Sequence, residues 1–116
     1  MKAIIEVRQI GHSFADARRR LAQHERLKSE ADFHLSYENA RDLFGDLTPA
    51  RMDVLRALRD LGESSVRALA IAIERNYSNV HGDIERLIQL GLVERNENGT
   101  VHVPFDGIDI RVLLAA

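Results

Sequence analysis

Three short stretches of the chain alternate between apolar and polar residues. A period of two is typical of a β-strand that buries one face. The stretches cover residues 2–8, 33–37 and 108–112. Their apolar members are Ala3, Ile5 and Val7, then Phe33, Leu35 and Tyr37, then Ile108, Ile110 and Val112. The pattern predicts three strands, which we expect to join one sheet, either within the chain or across a dimer.

A helix is predicted between the first two strands. The Ser13 hydroxyl can cap it, and the helical spacing of apolar residues continues to about Ser29. Its polar surface includes three consecutive arginines at 18–20, a run that most often forms a solvated face. Residues 1–46 are therefore interpreted as a β-α-β extension that serves dimerisation or a partner.

The helical period of 3.6 appears between residues 39 and 91. A short helix is expected from about Asn39 to Phe44, before Gly45 and Asp46. Three longer helices follow, and each begins at a residue that can accept a hydrogen bond from an orphan backbone N–H. These caps are Thr48, Ser65 and Asn76, and the stops are Gly62 after the first helix and Gly91 after the third.

The apolar residues of these three helices predict their buried faces. The inward positions are Met52, Leu55, Leu58 and Leu61, then Val66, Leu69, Ala70 and Ile73, then Val80, Ile84, Leu87 and Ile88. Ala70 is small, as expected where two helices cross closely after a tight turn. The turn itself is predicted at residues 74–76.

A hairpin is predicted after the third helix. Residues 92–95 and 100–103 flank Asn98-Gly99, and an Asn-Gly pair between apolar runs is a strong hairpin signal. Three helices followed by a hairpin predict an α+β chain whose residues 47–116 form a winged helix-turn-helix, with the hairpin as its wing. The sequence therefore indicates two domains, 1–46 and 47–116.

The order of these elements indicates that the third helix enters a DNA major groove. Asn, Ser and Arg side chains can donate to or accept from base edges, and a helix N-terminus attracts phosphate. Arg51 and Arg67 are expected to contact phosphates, and Arg95 and Asn98 lie on the wing. The predicted DNA-binding residues are Arg51, Arg67, Arg75, Asn76, Tyr77, Ser78, Asn79, His81, Gly82, Arg86, Arg95 and Asn98.

The composition limits the classes of protein to which the chain can belong. The 116 residues are 45% hydrophobic and 29% charged, which is a globular composition and not a disordered one. There is no cysteine, and the five histidines do not form a helical i, i+4 pair, so we expect no metal and no cofactor. Catalytic motifs are absent, so the chain is not expected to be an enzyme. No membrane segment or signal peptide is evident, which predicts a cytoplasmic protein.

The net charge of −2 is unusual for a protein that binds DNA. It leaves open an alternative, a protein-interaction module that neutralises a partner through its N-terminal segment, with weak or no DNA binding. The two functions can coexist in one chain.

The stretch from about Leu43 to Leu113 resembles a MarR-like winged helix-turn-helix group of prokaryotic DNA-binding regulators. The residues that carry the resemblance are Leu47-Thr48-Pro49 with Arg51, Ser65-Val66-Arg67 with Leu69-Ala70, Val80-His81 with Asp83, Leu90-Gly91-Leu92-Val93-Glu94, and Val103-Pro104-Phe105. The resemblance implies sequence-specific binding of double-stranded DNA as a homodimer. It also implies the antitoxin half of a toxin–antitoxin operon, with autoregulation and a toxin protein as partner. Gly82 departs from the group's pattern, which has a basic residue there.

Overall fold

The computed structural model describes residues 1–8 and 32–114, and it has an α+β fold. The strands are β1 (Lys2–Val7), β2 (Phe33–Tyr37), β3 (Glu94–Arg95), β4 (Val101–His102) and β5 (Gly107–Val112). The helices are α1 (Ala40–Asp46), α2 (Pro49–Leu61), α3 (Val66–Ala72) and α4 (Tyr77–Gln89). The helix predicted between Ser13 and Ser29 lies outside the described residues.

The chain divides into two compact units. One combines residues 1–44 with 107–116, and the other is the continuous stretch 45–106. The first unit is therefore discontinuous in sequence, whereas the sequence pattern divides the chain once, near residue 46.

A three-stranded parallel sheet forms the first unit, in the order β2-β1-β5. All three predicted strands are confirmed, and β5 pairs with β1 within the same chain. The register aligns the nine predicted apolar residues in three rows across the sheet. These rows are Phe33–Ala3–Ile108, Leu35–Ile5–Ile110 and Tyr37–Val7–Val112. Because partners in a row point to the same side, one face of the sheet is apolar throughout.

The caps predicted for the helices of residues 45–106 are confirmed. The Thr48 hydroxyl accepts from the backbone N–H of Arg51, the Ser65 hydroxyl from Ala68, and the Asn76 side chain from Asn79. Pro49 occupies the first turn of α2, where its missing N–H costs nothing. Gly62 ends α2 with φ 79° and ψ −135°, a backbone conformation that is essentially restricted to glycine.

The helices α2, α3 and α4 bury one apolar face each. The buried residues are Val54, Leu55 and Leu58, then Val66, Leu69 and Ala70, then Val80, Ile84 and Leu87. The prediction for Leu61 was wrong, since half of its surface is exposed. It lies in the last turn of α2, next to the chain reversal at Gly62, where helical phase no longer decides burial.

The hairpin is confirmed, but it is shorter than predicted, with two paired residues in each strand. Leu92 and Val93 are buried ahead of β3, so they belong to the core and not to a free arm. A third backbone segment joins β4, because Ser64 forms an antiparallel bridge with Val101. Two hydrogen bonds of 3.0 and 2.8 Å connect those residues. We refer to residues 94–102 as the wing.

Within residues 1–8 and 32–114, no helix combines the length and apolar character needed to cross a membrane.

Candidate functional site

The first two turns of α4 form an exposed polar surface. Their side chains follow a turn, residues 73–76, that separates α4 from α3. Val80 and Ile84 anchor the helix through its buried face, so the residues on its other side point outward. We call Tyr77, Ser78, Asn79, His81 and Gly82 the exposed face of α4; all five are exposed.

Aromatic contacts order one end of this exposed face. The Tyr77 and His81 rings lie 5.7 Å apart, one helical turn from each other. The Arg67 guanidinium, from the first turn of α3, lies 4.9 Å from the centre of the Tyr77 ring. This is within the range of a cation–π contact. Arg67 makes no ion pair with a described residue, so its charge is held in place without being neutralised.

The remaining part of the exposed face is open. Among the described residues, the side chains of Ser78 and Asn79 form no hydrogen bond. Gly82 has no heavy atom within 4 Å of the position that a Cβ would occupy. The backbone at Gly82 can therefore approach a ligand closely, beside two exposed polar side chains.

Asp83 connects two of the predicted DNA-binding arginines. Arg51 Nε donates to its Oδ1 at 3.1 Å, and Arg75 Nη2 donates to its Oδ2 at 2.9 Å. Arg51 also donates to the backbone carbonyl of Asp46 at 2.9 Å. Only 16% of the Asp83 side chain and 22% of the Arg51 side chain are exposed. The Arg51 side chain is therefore drawn toward the carboxylate of α4 and is only partly accessible.

Arg86 is held by a different carboxylate. Its Nε and Nη2 donate to the two carboxylate oxygens of Asp46, at 2.9 and 2.8 Å. This bidentate geometry is the strongest that an arginine and a carboxylate form. The two carboxylates of α4 have other partners: Asp83 pairs with Arg51 and Arg75, and Glu85 pairs with Arg95.

Two glutamates anchor the wing. Glu85 of α4 accepts from Arg95 and lies 3.6 Å from His81 Nε2. Glu63, in the loop before α3, accepts from Asn98 at 3.0 Å and from the Thr100 hydroxyl. These hydrogen bonds, the one from Thr100 first, lower the pKa of the Glu63 carboxyl below its usual value of 4.5. Gly99 makes the tip possible, with φ 87°.

The twelve predicted DNA-binding residues thus fall into three groups. The first group is the exposed face of α4 together with Arg67, whose guanidinium contacts the Tyr77 ring. Asn76 caps the helix, and its side chain accepts from Asn79 N–H at 3.3 Å. The others contact carboxylates of residues 45–106: Arg51, Arg75, Arg86, Arg95 and Asn98. All twelve remain predictions as contacts with DNA.

Sequence reasoning missed the carboxylates that organise these side chains. Asp83 could have been found from helical phase, because it lies at the border of the face formed by Val80, Ile84 and Leu87. Asp46 and Glu63 had no such signal, since each meets a partner more than thirty residues away. The β-bridge between Ser64 and Val101 also had no signal in the sequence.

The described part of the chain contains no group of three or more His, Asp or Glu side chains placed to hold a metal ion.

No curated protein and no solved structure matches this chain. Residues 46–110 match the sequence model of the HVO_A0114 family. The match spans more than half of the chain and includes every element from α2 to β4. The chain therefore belongs to the HVO_A0114 family.

Proposed function

We propose that the chain is a sequence-specific, winged helix-turn-helix DNA-binding protein that regulates transcription. In this proposal α3 and α4 form the helix-turn-helix, α4 enters the major groove, and the wing follows the DNA backbone. The observation that carries the proposal is the exposed face of α4. It presents the Ser78 and Asn79 side chains, which form no hydrogen bond within the described residues, on a helix whose other side is buried.

The chemistry of this face suits base edges. The Asn79 amide can donate and accept at the same time, as recognition of adenine requires. Ser78 can do either with one hydroxyl. Gly82 leaves space for the groove wall, since a Cβ there would meet nothing within 4 Å. Arg67 is oriented by the Tyr77 ring and keeps its charge available for a phosphate.

The wing would contribute less directly. Arg95 pairs with Glu85, so it has to exchange that carboxylate for a phosphate when DNA binds. Such an exchange costs little between exposed groups in water, where an ion pair contributes ~0–1 kcal/mol. Arg51, Arg75 and Arg86 have a first role in joining helices, and a contact with DNA would be additional to it.

The biological setting is proposed from the sequence resemblance. We infer a homodimeric, cytoplasmic autorepressor of the antitoxin type, encoded beside a toxin. Two copies would read half-sites separated by ~34 Å, one turn of the DNA helix.

The test is fluorescence anisotropy with the DNA upstream of the chain's own gene, compared with random DNA of equal length. Asn79→Ala should weaken binding to the specific site by ~1–3 kcal/mol and leave random DNA almost unaffected, because a base contact carries the sequence information. The matched control is Gln89→Ala. Gln89 is also an exposed amide of α4, but it lies ten residues further along the helix, ~15 Å away.

Equal losses on both DNAs would remove Asn79 from base recognition. If the unmodified chain bound neither DNA in low salt, the proposal as a whole would be wrong. Thermal unfolding followed by circular dichroism should be the same for both variants, which excludes misfolding as the cause.

A second function, neutralisation of a partner protein, is favoured by charge. Residues 45–106 contain seven arginines and no lysine, against ten aspartates and glutamates. An acidic balance suits a basic partner better than a polyanion. The arginines at 18–20, on the segment expected to hold the partner, lie outside the described residues. Co-expression with the neighbouring gene product tests this function: a stable complex in the absence of DNA supports it.

A further inference from the structure

Within the described residues, the outer edge of β5 has no neighbouring strand. β5 is the last strand in the order β2-β1-β5, and no described segment pairs with its other side. Its residues make no further hydrogen bond to a described residue beyond those of the sheet and the Lys2–Asp109 ion pair. An unpaired edge presents a row of N–H and C=O groups that can template another strand. The edge of a six-residue strand is long enough to do so.

This edge is also apolar on one side. Ile110 is 39% exposed and Val112 is 38% exposed, although both belong to the apolar face of the sheet. Edge strands that stay unpaired usually carry charged side chains, proline or a bulge. Residues 107–112 contain no proline, their pairing with β1 is uninterrupted, and their two charged residues, Asp109 and Arg111, are of opposite sign.

Self-pairing of β5 is limited to a few registers. In an antiparallel pair, two facing residues behave alike: either the N–H and C=O groups of both point toward the partner strand, or those of both point away from it. A two-fold axis must therefore pass through a residue and not between two residues. Near the middle of the strand, that residue is Asp109, Ile110 or Arg111.

Charge selects one of these three axes. An axis through Asp109 places two aspartates opposite each other, and an axis through Arg111 does the same with two arginines. The axis through Ile110 places each Asp109 opposite the other copy's Arg111, and Ile108 opposite Val112. Like charges directly opposite are destabilising, and opposite charges are stabilising. Arg111 makes no ion pair with a described residue, and the bond of Asp109 to Lys2 is long, at 3.9 Å.

We propose that a second copy of this chain docks on β5, by antiparallel β5–β5 pairing about a two-fold axis through Ile110. The product is a continuous six-stranded sheet in the order β2-β1-β5-β5-β1-β2. Because the axis is perpendicular to the sheet, the apolar faces of both copies lie on the same side. The exposed Ile110 side chain then packs beside Ile110 of the other copy, and the exposed Val112 side chain packs beside Ile108 of the other copy. This defines the dimer surface of the proposed regulator, but the pairing does not depend on DNA binding.

Charge reversal tests the register. Sedimentation velocity should show a dimer for the unmodified full chain. Asp109→Arg places arginine opposite arginine, and Arg111→Asp places aspartate opposite aspartate. Each variant should raise the dimer dissociation constant by at least about tenfold, since two favourable pairs become two repulsive ones. An equimolar mixture of the two variants should dimerise again, because each arginine then meets an aspartate of the other chain.

The mixture also guards against misfolding, since an unfolded variant cannot restore the dimer. Lys2→Ala is the matched control: it removes the ion pair with Asp109 but no facing residue, and it should remain dimeric. A monomeric unmodified chain would overturn the proposal. So would single variants that remain dimeric, or a mixture that stays monomeric.

Cross-linking tests the axis itself. The chain has no cysteine, so Ile110→Cys introduces a single thiol, next to its own symmetry mate. Oxidation should give a disulfide-linked dimer in high yield. Ile71→Cys is the control, an isoleucine that is 72% exposed but lies on α3. Equal yields from both variants would contradict an axis through Ile110. Binding of promoter DNA is measured in parallel. A loss of dimerisation can then be distinguished from an absence of DNA binding by α4.

Discussion

Most arginines of residues 45–106 lie against carboxylates. Five of the seven form an ion pair: Arg51, Arg59, Arg75, Arg86 and Arg95. Arg56 and Arg67 make no ion pair with a described residue. A sequence shows which side chains are basic, but their partners depend on contacts between distant residues. At this scale the structure separates arginines that join helices from the one that is held beside the exposed face of α4.

Asp83 provides the first prediction at this scale. Asp83→Asn should lower the free energy of unfolding by about 1–3 kcal/mol, because Arg51 and Arg75 lose their shared carboxylate while remaining part-buried. Urea unfolding measures this change. The control is Asp60→Asn, on the exposed side of α2, which should change stability by less than ~0.5 kcal/mol. Similar effects from both variants would contradict a structural role for Asp83.

Glu63 gives a prediction on pH. Its pKa is lowered in the folded chain, chiefly by the hydrogen bond from Thr100 and then by that from Asn98. A lowered pKa means that the ionised carboxylate stabilises the fold above pH 4.5, and that this contribution is lost as the pH falls through the folded-state pKa. Unfolding of the unmodified chain and of Glu63→Gln should therefore differ at neutral pH and converge in acid. An NMR titration midpoint at or above pH 4.5 for the Glu63 carboxyl would contradict a lowered pKa.

At the scale of elements, local signals decide where helices begin and end. Thr48, Ser65 and Asn76 cap their helices through hydrogen bonds that span three residues, so the sequence alone predicts them. The turn between α3 and α4 is different. Glu74 adopts φ 56° there, in the left-handed region that side chains with a Cβ rarely enter. The turn places Arg75 against Asp83, so the ion pair supports the strained backbone.

Replacing Glu74 tests that strain. Glu74→Gly should stabilise the fold by up to ~1 kcal/mol, because glycine enters the left-handed region without a steric cost that is ~1–2 kcal/mol for other residues. Part of the gain is offset by the greater entropy of glycine in the unfolded chain. Thermal unfolding is the measurement. Glu97→Gly serves as the control in the wing, where φ is not positive, and it should not stabilise. A loss of stability at Glu74 would contradict the interpretation.

At the scale of the whole molecule, the charge balance limits how DNA can be bound. The net charge is −2, and within residues 45–106 five of the seven arginines form an ion pair with a described carboxylate. DNA binding should therefore depend on salt less steeply than in proteins that contact many phosphates. If only Arg67 and Arg95 contact phosphates in each copy of a dimer, the slope of log K against log salt should be about −4.

The same measurement distinguishes individual arginines. Arg67→Ala should make the slope shallower by about 2 in a dimer, because two phosphate contacts are lost and each contributes ~0.9. Arg56→Ala removes an exposed arginine of α2 that is not predicted to contact DNA, and it should leave the slope unchanged. Anisotropy titrations at several salt concentrations measure both. A slope steeper than about −6 would show that basic residues besides Arg67 and Arg95 also bind phosphates.

The sequence alone determined the features that depend on neighbours a few residues apart. Alternation predicted β1, β2 and β5 and the apolar face that they share, because side-chain direction in a strand follows from residue parity. Helical period and capping predicted α2, α3 and α4 in the same way.

Only the tertiary structure decided the features that join distant segments. The pairing of β5 with β1, the bridge from Ser64 to Val101 and the contact of Asp46 with Arg86 each connect residues more than thirty positions apart. No local propensity encodes such contacts, since their free energy arises when the folded chain brings the two segments together. The same holds for Arg67 and Arg51, which are both arginines in the first turn of a helix. The Arg67 guanidinium lies on a tyrosine ring, whereas the Arg51 guanidinium binds the part-buried carboxylate of Asp83.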